Sequence, residues 1–331
     1  MIESLERSKF DPYLNKKFEI QSESSKMGEV ELVEVIGNDS NSSDSFSLVF
    51  WEKFGTQFGQ NTYKIIHHEI GELEMYLVPI DNKGKVGFYY QAVNFMWKTP
   101  IYKLQAKNGE IISIDVTSSC APGLKANKVI KDIVEFFKKN ELETILDFGA
   151  GALRHTFPLL SRSLKVCAVE FEKQFERKSC KKALKRAKRS ANFSALIFPN
   201  GFIEDKRKFD AAILSFVLPT MPIPLERDVL IRLISDKLKE KSIILWMSQF
   251  GKYDNVKKDS NQVNDGWYLN PSRTHKSFYT EFTNEKIDDM MKAINFIRIR
   301  SLSDRGTDQF RVFSRNGEIK WPKKTKKKYP F

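Results

Sequence analysis

The residues best equipped for chemistry lie between Asp147 and Glu170. The run LDFGAG closes a short apolar stretch, residues 145–148, and leads into a helical pattern at 153–160. Gly149 and Gly151 permit a tight turn and a close backbone approach to a ligand, and the free N–H groups opening a helix favour a negative group. A second apolar run, residues 165–169, ends in Glu170, 23 residues after Asp147. An acid about 20 residues beyond a glycine turn has the spacing of one that accepts hydrogen bonds from ribose hydroxyls. The third glycine of the dinucleotide fingerprint is missing, with Leu153 and Arg154 in its place. That favours a nucleoside ligand without a pyrophosphate over a nicotinamide dinucleotide. Arg154 and His155, just after the turn, would orient such a ligand.

Two further groups of residues could act on a second substrate. Ser215 and Phe216 follow the apolar run 210–214, where a side chain could flank a ligand or stack on a base. Residues 251–275 are polar, and a loop of that length inside a compact domain is usually functional or disordered. The segment leads into GWYLNPSRTHKSFY, which holds His275 and Tyr279. His275 has an intrinsic pKa suited to proton transfer near neutral pH, so it and Tyr279 are the candidate catalytic side chains.

These residues need a scaffold, and its outline shows as a change of period. Residues 18–93 read as six short strands (18–20, 30–35, 46–51, 63–67, 72–78 and 87–93) with no helix between them. Leu73, Met75 and Leu77 alternate with Glu72, Glu74 and Tyr76, the period of two expected of a strand with one wet face. A small all-β barrel or sandwich is the expectation for residues 1–98, followed by a hairpin and linker at 99–123 around Asn108-Gly109. Ile130, Ile133, Val134 and Phe137 then recur at helical spacing, placing an amphipathic helix at 125–140. From residue 144 the chain reads strand, glycine turn, helix, strand, and a basic tail ends it at 317–331.

The first half resembles a family of small bacterial β domains that has no assigned function, through VELVEVIG, SFSLVF, NTYKIIHHEIGELEMYLVPI and YYQAVNF. In the second half, LDFGAG followed by VCAVE resembles the first two motifs of the class I S-adenosylmethionine-dependent methyltransferases. The resemblance covers about residues 125–315 and implies a doubly wound, Rossmann-like α/β sheet over the domain 124–316 whose last strand is antiparallel. In that order 195–198 would be the third strand, 210–217 the fourth, 225–239 a helix, 242–247 the fifth strand, 284–293 a helix, and 296–301 and 309–314 the last two strands. It also implies S-adenosylmethionine as cofactor. Asp147, Gly149 and Gly151 would line its amino-acid end with Arg154 nearby, Glu170 would bind the ribose, and Ser215 and Phe216 would flank it. Asn200, after the third strand, stands where this family usually places an Asp for the adenine amino group. The fourth strand runs into LSFVLP, without the Pro-Pro-aromatic motif of amino-methylating DNA enzymes and without the Pro-Cys nucleophile of C5-pyrimidine enzymes. The acceptor therefore stays open between nucleic acid, protein and small molecule, as does a scaffold that binds without catalysis.

Charge bears on that choice. The chain carries a formal +13. Residues 1–100 hold 10 basic and 15 acidic side chains, a net of −5, so residues 101–331 carry +18. Between Lys173 and Arg189 there are 9 basic residues and one Glu, with Phe175, Cys180, Ala183, Leu184 and Ala187 as one apolar stripe of a helix. From Lys320 to Lys328 lysines interleave with Trp321, which suits a flexible arm on single-stranded nucleic acid. Nucleic acid is thus the expected partner of both stretches, and a protein partner that of the β domain. Three cysteines with no CxxC pair argue against a disulfide framework and against a metal site, and point to a reducing cytoplasm. No apolar run approaches a membrane span, and the first ten residues lack the apolar core of a secretory signal.

Overall fold

The computed structural model describes residues 7–22, 25–37, 46–53, 57–59, 61–80, 86–93, 100–119, 126, 129–251, 254, 257–269, 274–303 and 308–322. The chain divides into two compact units, Met1–Thr99 and Pro100–Phe331.

In the first unit six strands close a barrel: β1 (Lys17–Ser22), β2 (Ser25–Gly37), β3 (Phe46–Glu52), β4 (Asn61–His67), β5 (Gly71–Ile80) and β6 (Phe88–Val93), in the order β1-β2-β3-β6-β5-β4, with β4 returning to β1. Closure pairs every strand edge, which removes the exposed ladder that a six-stranded open sheet would present. The inward residues fill the barrel: Phe18, Ile20, Leu32, Leu48, Phe50, Met75 and Leu77 are buried. Tyr90 completes the core, its buried Oη accepting the Phe58 N–H at 2.9 Å.

The second unit begins with the hairpin β7 (Ile101–Gln105) and β8 (Ile111–Asp115). Helix α1 (Val129–Lys139) buries Ile130, Ile133, Val134, Phe136 and Phe137. It stops where Asn140 donates its side-chain amide to the Phe136 carbonyl and Glu141 turns left-handed, φ 58°. Next come β9 (Thr144–Phe148), α2 (Thr156–Leu160), β10 (Lys165–Phe171), α3 (Glu172–Glu176), α4 (Lys178–Ala187), β11 (Phe193–Phe198), α5 (Asn200–Glu204), β12 (Phe209–Ser215), α6 (Pro224–Asp236) and β13 (Leu238–Gln249). The short strands β14 (Gln262–Val263), β15 (Gly266–Leu269) and β16 (Ser277–Tyr279) precede α7 (Asn284–Lys292), β17 (Phe296–Ser303) and β18 (Asp308–Arg315). The main sheet runs β11-β10-β9-β12-β13-β18-β17. Its first five strands are parallel, and β18 slots in antiparallel between β13 and β17. Among the described residues no helix is long and apolar enough to cross a membrane.

Three elements differ from the sequence reading. The helix after the glycine turn starts only at Thr156, because Leu153 adopts φ 60° and holds residues 151–155 as a turn. Residues 173–189 are two helices, broken where Arg177 is extended (φ −59°, ψ 139°). Within the polar stretch 251–275 the described residues include β14 and β15, which form with β16 an antiparallel sheet that packs with the β7–β8 hairpin around Tyr102, Ile112, Ile114, Val263, Tyr268 and Phe278. Gly266 makes this possible, since a Cβ there would lie 2.4 Å from the Phe278 ring. The expected basic arm is also partly folded. Ile319 is buried and Trp321 stacks on Phe136 at 4.3 Å, while residues 323–331 lie outside the described residues.

Asp210 ties the start of β9 to that of β12. One of its oxygens accepts from the backbone N–H groups of Glu143 and Thr144 and from Thr144 Oγ1, and the other pairs with Lys239 at 2.8 Å. Burial pushes its carboxyl up, but Lys239 and the Thr144 and Glu143 donors outweigh that and hold it below the usual carboxylate range. A depressed folded value gives stability that is present above the unfolded value of 3.8 and lost as pH falls through the folded one. Asp210→Ala is expected to cost about 2–3 kcal/mol in urea unfolding at neutral pH. The gap between variant and wild type should narrow as pH drops below about 4.

Candidate active site

The glycine turn is shaped by contacts that leave no room for side chains. Gly149 (φ 66°) and Gly151 (φ 52°) are left-handed. A Cβ on Gly149 would come within 2.4 Å of Val217 Cγ2. The N–H groups of Gly149 and Ala150 donate to the Val169 carbonyl at 2.9 and 3.2 Å, sewing the turn to β10. Because β9 and β10 are parallel neighbours in register, Ala168 beside Asp147, the two acids emerge at the same end of the sheet.

Glu170 turns its carboxylate onto this turn. Its Oε2 accepts the Gly151 N–H and its Oε1 the Phe171 N–H, both at 2.9 Å. Burial pushes the Glu170 carboxyl up to about 7, against the two backbone donors, with the Asp147 charge adding to the rise. Asp147 is fully buried and accepts from Thr156 Oγ1 at 2.6 Å. Burial raises it to about 6, although Thr156 and Arg154 oppose the shift. His155, next in line, is buried with no partner on Nε2, and burial beside Arg154 drives it down to about 3, so it stays neutral.

The other flank comes from the end of β12. Phe216 adopts φ 58° and donates its N–H to the Met247 carbonyl at 2.9 Å. Arg154 bridges the two flanks, with Nη2 3.5 Å from Ser215 Oγ and the guanidinium 5.7 Å from the Phe216 ring centre. Beyond β10 an aromatic cluster begins: Phe198 meets Phe148 and Phe171 edge-on at 5.2 Å each, with Phe202 behind it. Asn200 is exposed at the start of α5, two residues past Phe198. The structure thus gathers Asp147, Gly149, Gly151, Arg154, Glu170, Ser215 and Phe216 around one turn, with Asn200 on the adjoining strand end.

His275 and Tyr279 belong to the small sheet instead. His275 is exposed, its Nδ1 2.9 Å from Ser113 Oγ on the hairpin. Tyr279 is buried, with Oη 2.9 Å from both the Gln249 carbonyl and Glu281 Oε1, so one phenolic proton is shared between two acceptors at the end of β13. Sequence reasoning missed the groups that fix this sheet and hairpin. Arg227, 1% exposed, forms a forked ion pair with Asp265. Asp115 pairs with Lys173 at 2.9 Å, and Arg177 donates to the Thr117 carbonyl and Oγ1 at 2.9 and 2.8 Å. That latch holds the segment after β8 against the helices directly following Glu170. Gln174 was missed too; it is buried, with Nε2 3.3 Å from Cys180 Sγ and Oε1 unpartnered. Of the paired charges only Lys173 and Arg177 carried a signal, as members of a charge run that pointed outward.

The strand order 3-2-1-4-5-7-6, counted within the unit, with an antiparallel seventh strand and the glycine turn after the first, decides the architecture. The second unit has the class I methyltransferase fold. Residues 5–94 match the family described as Domain of unknown function (DUF6916). No curated protein sequence matches the chain. Among solved structures, it is similar to the 1,6-didemethyltoxoflavin-N1-methyltransferase of Burkholderia thailandensis, with 17% identity over 61% of this chain and 81% of that one, TM-score 0.43. It is also similar to the magnesium protoporphyrin IX methyltransferase of Synechocystis PCC 6803 (14% identity, 57% of this chain and 82% of that one, TM-score 0.42). A third likeness is to a methyltransferase from Methanosarcina mazei (16%, 57% and 96%, TM-score 0.40). Against the mitomycin 7-O-methyltransferase the chain spans about half of that protein, 52%. The fold assignment rests on the strand order and the turn themselves.

Two predictions test the geometry of the site. Gly149→Ala combines left-handed strain with the Val217 clash and is expected to lower stability by about 2–4 kcal/mol. Adding Val217→Ala should restore only part of that loss, as read from the melting temperature. Second, a raised folded pKa means that the folded chain keeps its protons to higher pH than the unfolded one. Stability of the ligand-free protein should therefore fall as pH rises from about 4.5 to about 7. Glu170→Gln should flatten that slope in urea unfolding across the same window.

Proposed function

We propose that the second unit is a methyltransferase that uses S-adenosylmethionine. The observation that carries the reading is the Glu170 carboxylate set against the Gly149–Gly151 turn at the ends of β10 and β9. The residues present fit that cofactor. The left-handed glycines of the turn put backbone N–H groups rather than side chains beside the Glu170 carboxylate. A carboxylate now held by two N–H groups can exchange one of them for a ribose diol. Asp147 and Arg154 supply opposite charges for the ammonium and carboxylate of an amino-acid end, and the neutral, unpartnered His155 Nε2 stands behind them. Phe171 and Phe198 offer apolar surface to a purine, with Asn200 beside them for its exocyclic amine. Bound there, the cofactor would supply an electrophilic methyl on sulfur for an acceptor lone pair, with a neutral thioether as the leaving group.

What this chain does is bind and orient. Phe216, pinned by Met247 and facing Arg154, closes the side of the turn nearest β12. The β14–β16 sheet is tied to the end of β13 through Tyr279, and the exposed His275 is the candidate there to meet the acceptor. Glu281 and the Gln249 carbonyl hold the Tyr279 hydroxyl, which makes it an orienting group. Calorimetric titration with S-adenosylmethionine tests the reading. Binding should tighten as pH rises from about 6 to about 8, because Glu170 must ionise to accept the diol. Glu170→Ala should weaken it by about tenfold or more, the loss of a charge-assisted pair of hydrogen bonds. No heat from the folded intact chain at either pH would end the proposal.

A further inference from the structure

Helix α4 turns one face into the fold and leaves the other to solvent. Cys180, Ala183 and Ala187 are buried, packed with Leu184 near Ala150, Ala168 and Phe175. The opposite arc carries Lys178, Lys181, Lys182 and Lys185, and the turn that ends the helix adds Lys188 and Arg189. All six are exposed, and among the described residues no carboxylate pairs with them. They differ in this from Lys173 and Arg177, whose charges are engaged by Asp115. Arg186 lies over the Phe157 ring at 4.5 Å.

At 100° per residue, positions 178, 182 and 185 fall within about 60° of one another, and a rise of 1.5 Å per residue spreads them over about 10 Å, with Lys188 and Arg189 following in the turn past the helix end. A row of like charges without counter-charges repels itself and raises the local potential, so it favours an extended polyanion. We propose that this face of α4 docks the phosphate backbone of a nucleic acid. A single strand carries a charge about every 3.4 Å, which a straight row of cations can follow. A lipid surface is disfavoured, because interfacial helices insert an apolar face, and the apolar face of α4 is already buried in the fold. The docking itself stands on α4 alone. It names the acceptor class of the proposed methyltransferase only if the cofactor reading holds.

Fluorescence anisotropy with labelled RNA and duplex DNA on the full chain is the test. Six contacts predict that log K falls against log salt with a slope near −4 for single strands or −5 for duplex, a loss of a hundredfold or more between about 50 and about 200 mM. The variant K181E/K182E/K185E/K188E should lose binding while keeping its melting temperature and its affinity for S-adenosylmethionine. The four Lys→Arg changes should preserve binding. Binding that ignores salt, an unaffected charge-reversed variant, or tighter binding to phosphatidylserine vesicles than to either nucleic acid would overturn the proposal. A chain that binds nucleic acid but no cofactor would uphold this surface and remove the methyltransferase reading.

Discussion

Two carboxylates on neighbouring parallel strands, Asp147 and Glu170, are held inside the fold, and the site is arranged around that constraint. Desolvated acids resist ionisation, so each is given donors: Thr156 for Asp147, and two backbone N–H groups for Glu170. The Gly151 donor reaches Glu170 because Gly149 and Gly151 bend the chain back over the end of β10. That bend leaves no space for a Cβ beside Val217, and Val217 is fixed in turn by the left-handed Phe216 before it. One strained turn thus sets the positions of both acids and of the aromatic residue opposite. Polar groups so poised, with protonation equilibria displaced toward neutral pH, are a hallmark of ligand sites.

The small sheet and the hairpin are a second layer built on the same edge. Their core is modest, a cluster around Ile114, Tyr268 and Phe278, and ion pairs anchor it to the main fold. Arg227 with Asp265 joins α6 to the turn between β14 and β15, and Asp115 with Lys173 joins the hairpin to α3. Removing one partner of the buried Arg227 pair would strand a charge, which is costly. The Asp115 latch is half-exposed on its lysine side and therefore weaker.

Much of this was legible in the sequence because it is local. The glycine turn, the alternating runs around it and Glu170 lie within 24 residues, and right-handed crossovers leave few ways to order parallel strands once they are recognised. The barrel strands showed through the alternation of Leu73, Met75 and Leu77 with glutamates. The misses share a different cause. Strands of two to four residues, such as β14 and β16, are too short to show a period, and they are held by Arg227 reaching Asp265 38 residues away and by Gly266 making room for Phe278. Arg177 breaks its helix without a glycine or proline, since the break is set by Thr117, 60 residues away. Leu153 is left-handed in a place where sequence rules expect glycine, so the turn ran on where a helix was expected. Trp321 looked like part of a free arm until Phe136 supplied its stacking partner.

The central claim is that Glu170 and the glycine turn hold an adenosyl cofactor. A crystal structure of the intact protein grown with S-adenosylhomocysteine tests it most directly. The account predicts the ribose hydroxyls on the Glu170 carboxylate, the amino-acid end between Asp147 and Arg154, and the purine beside Phe198 and Asn200. Density for the ligand elsewhere, or a Glu170 carboxylate still closed on the Gly151 N–H at saturating ligand, would contradict it.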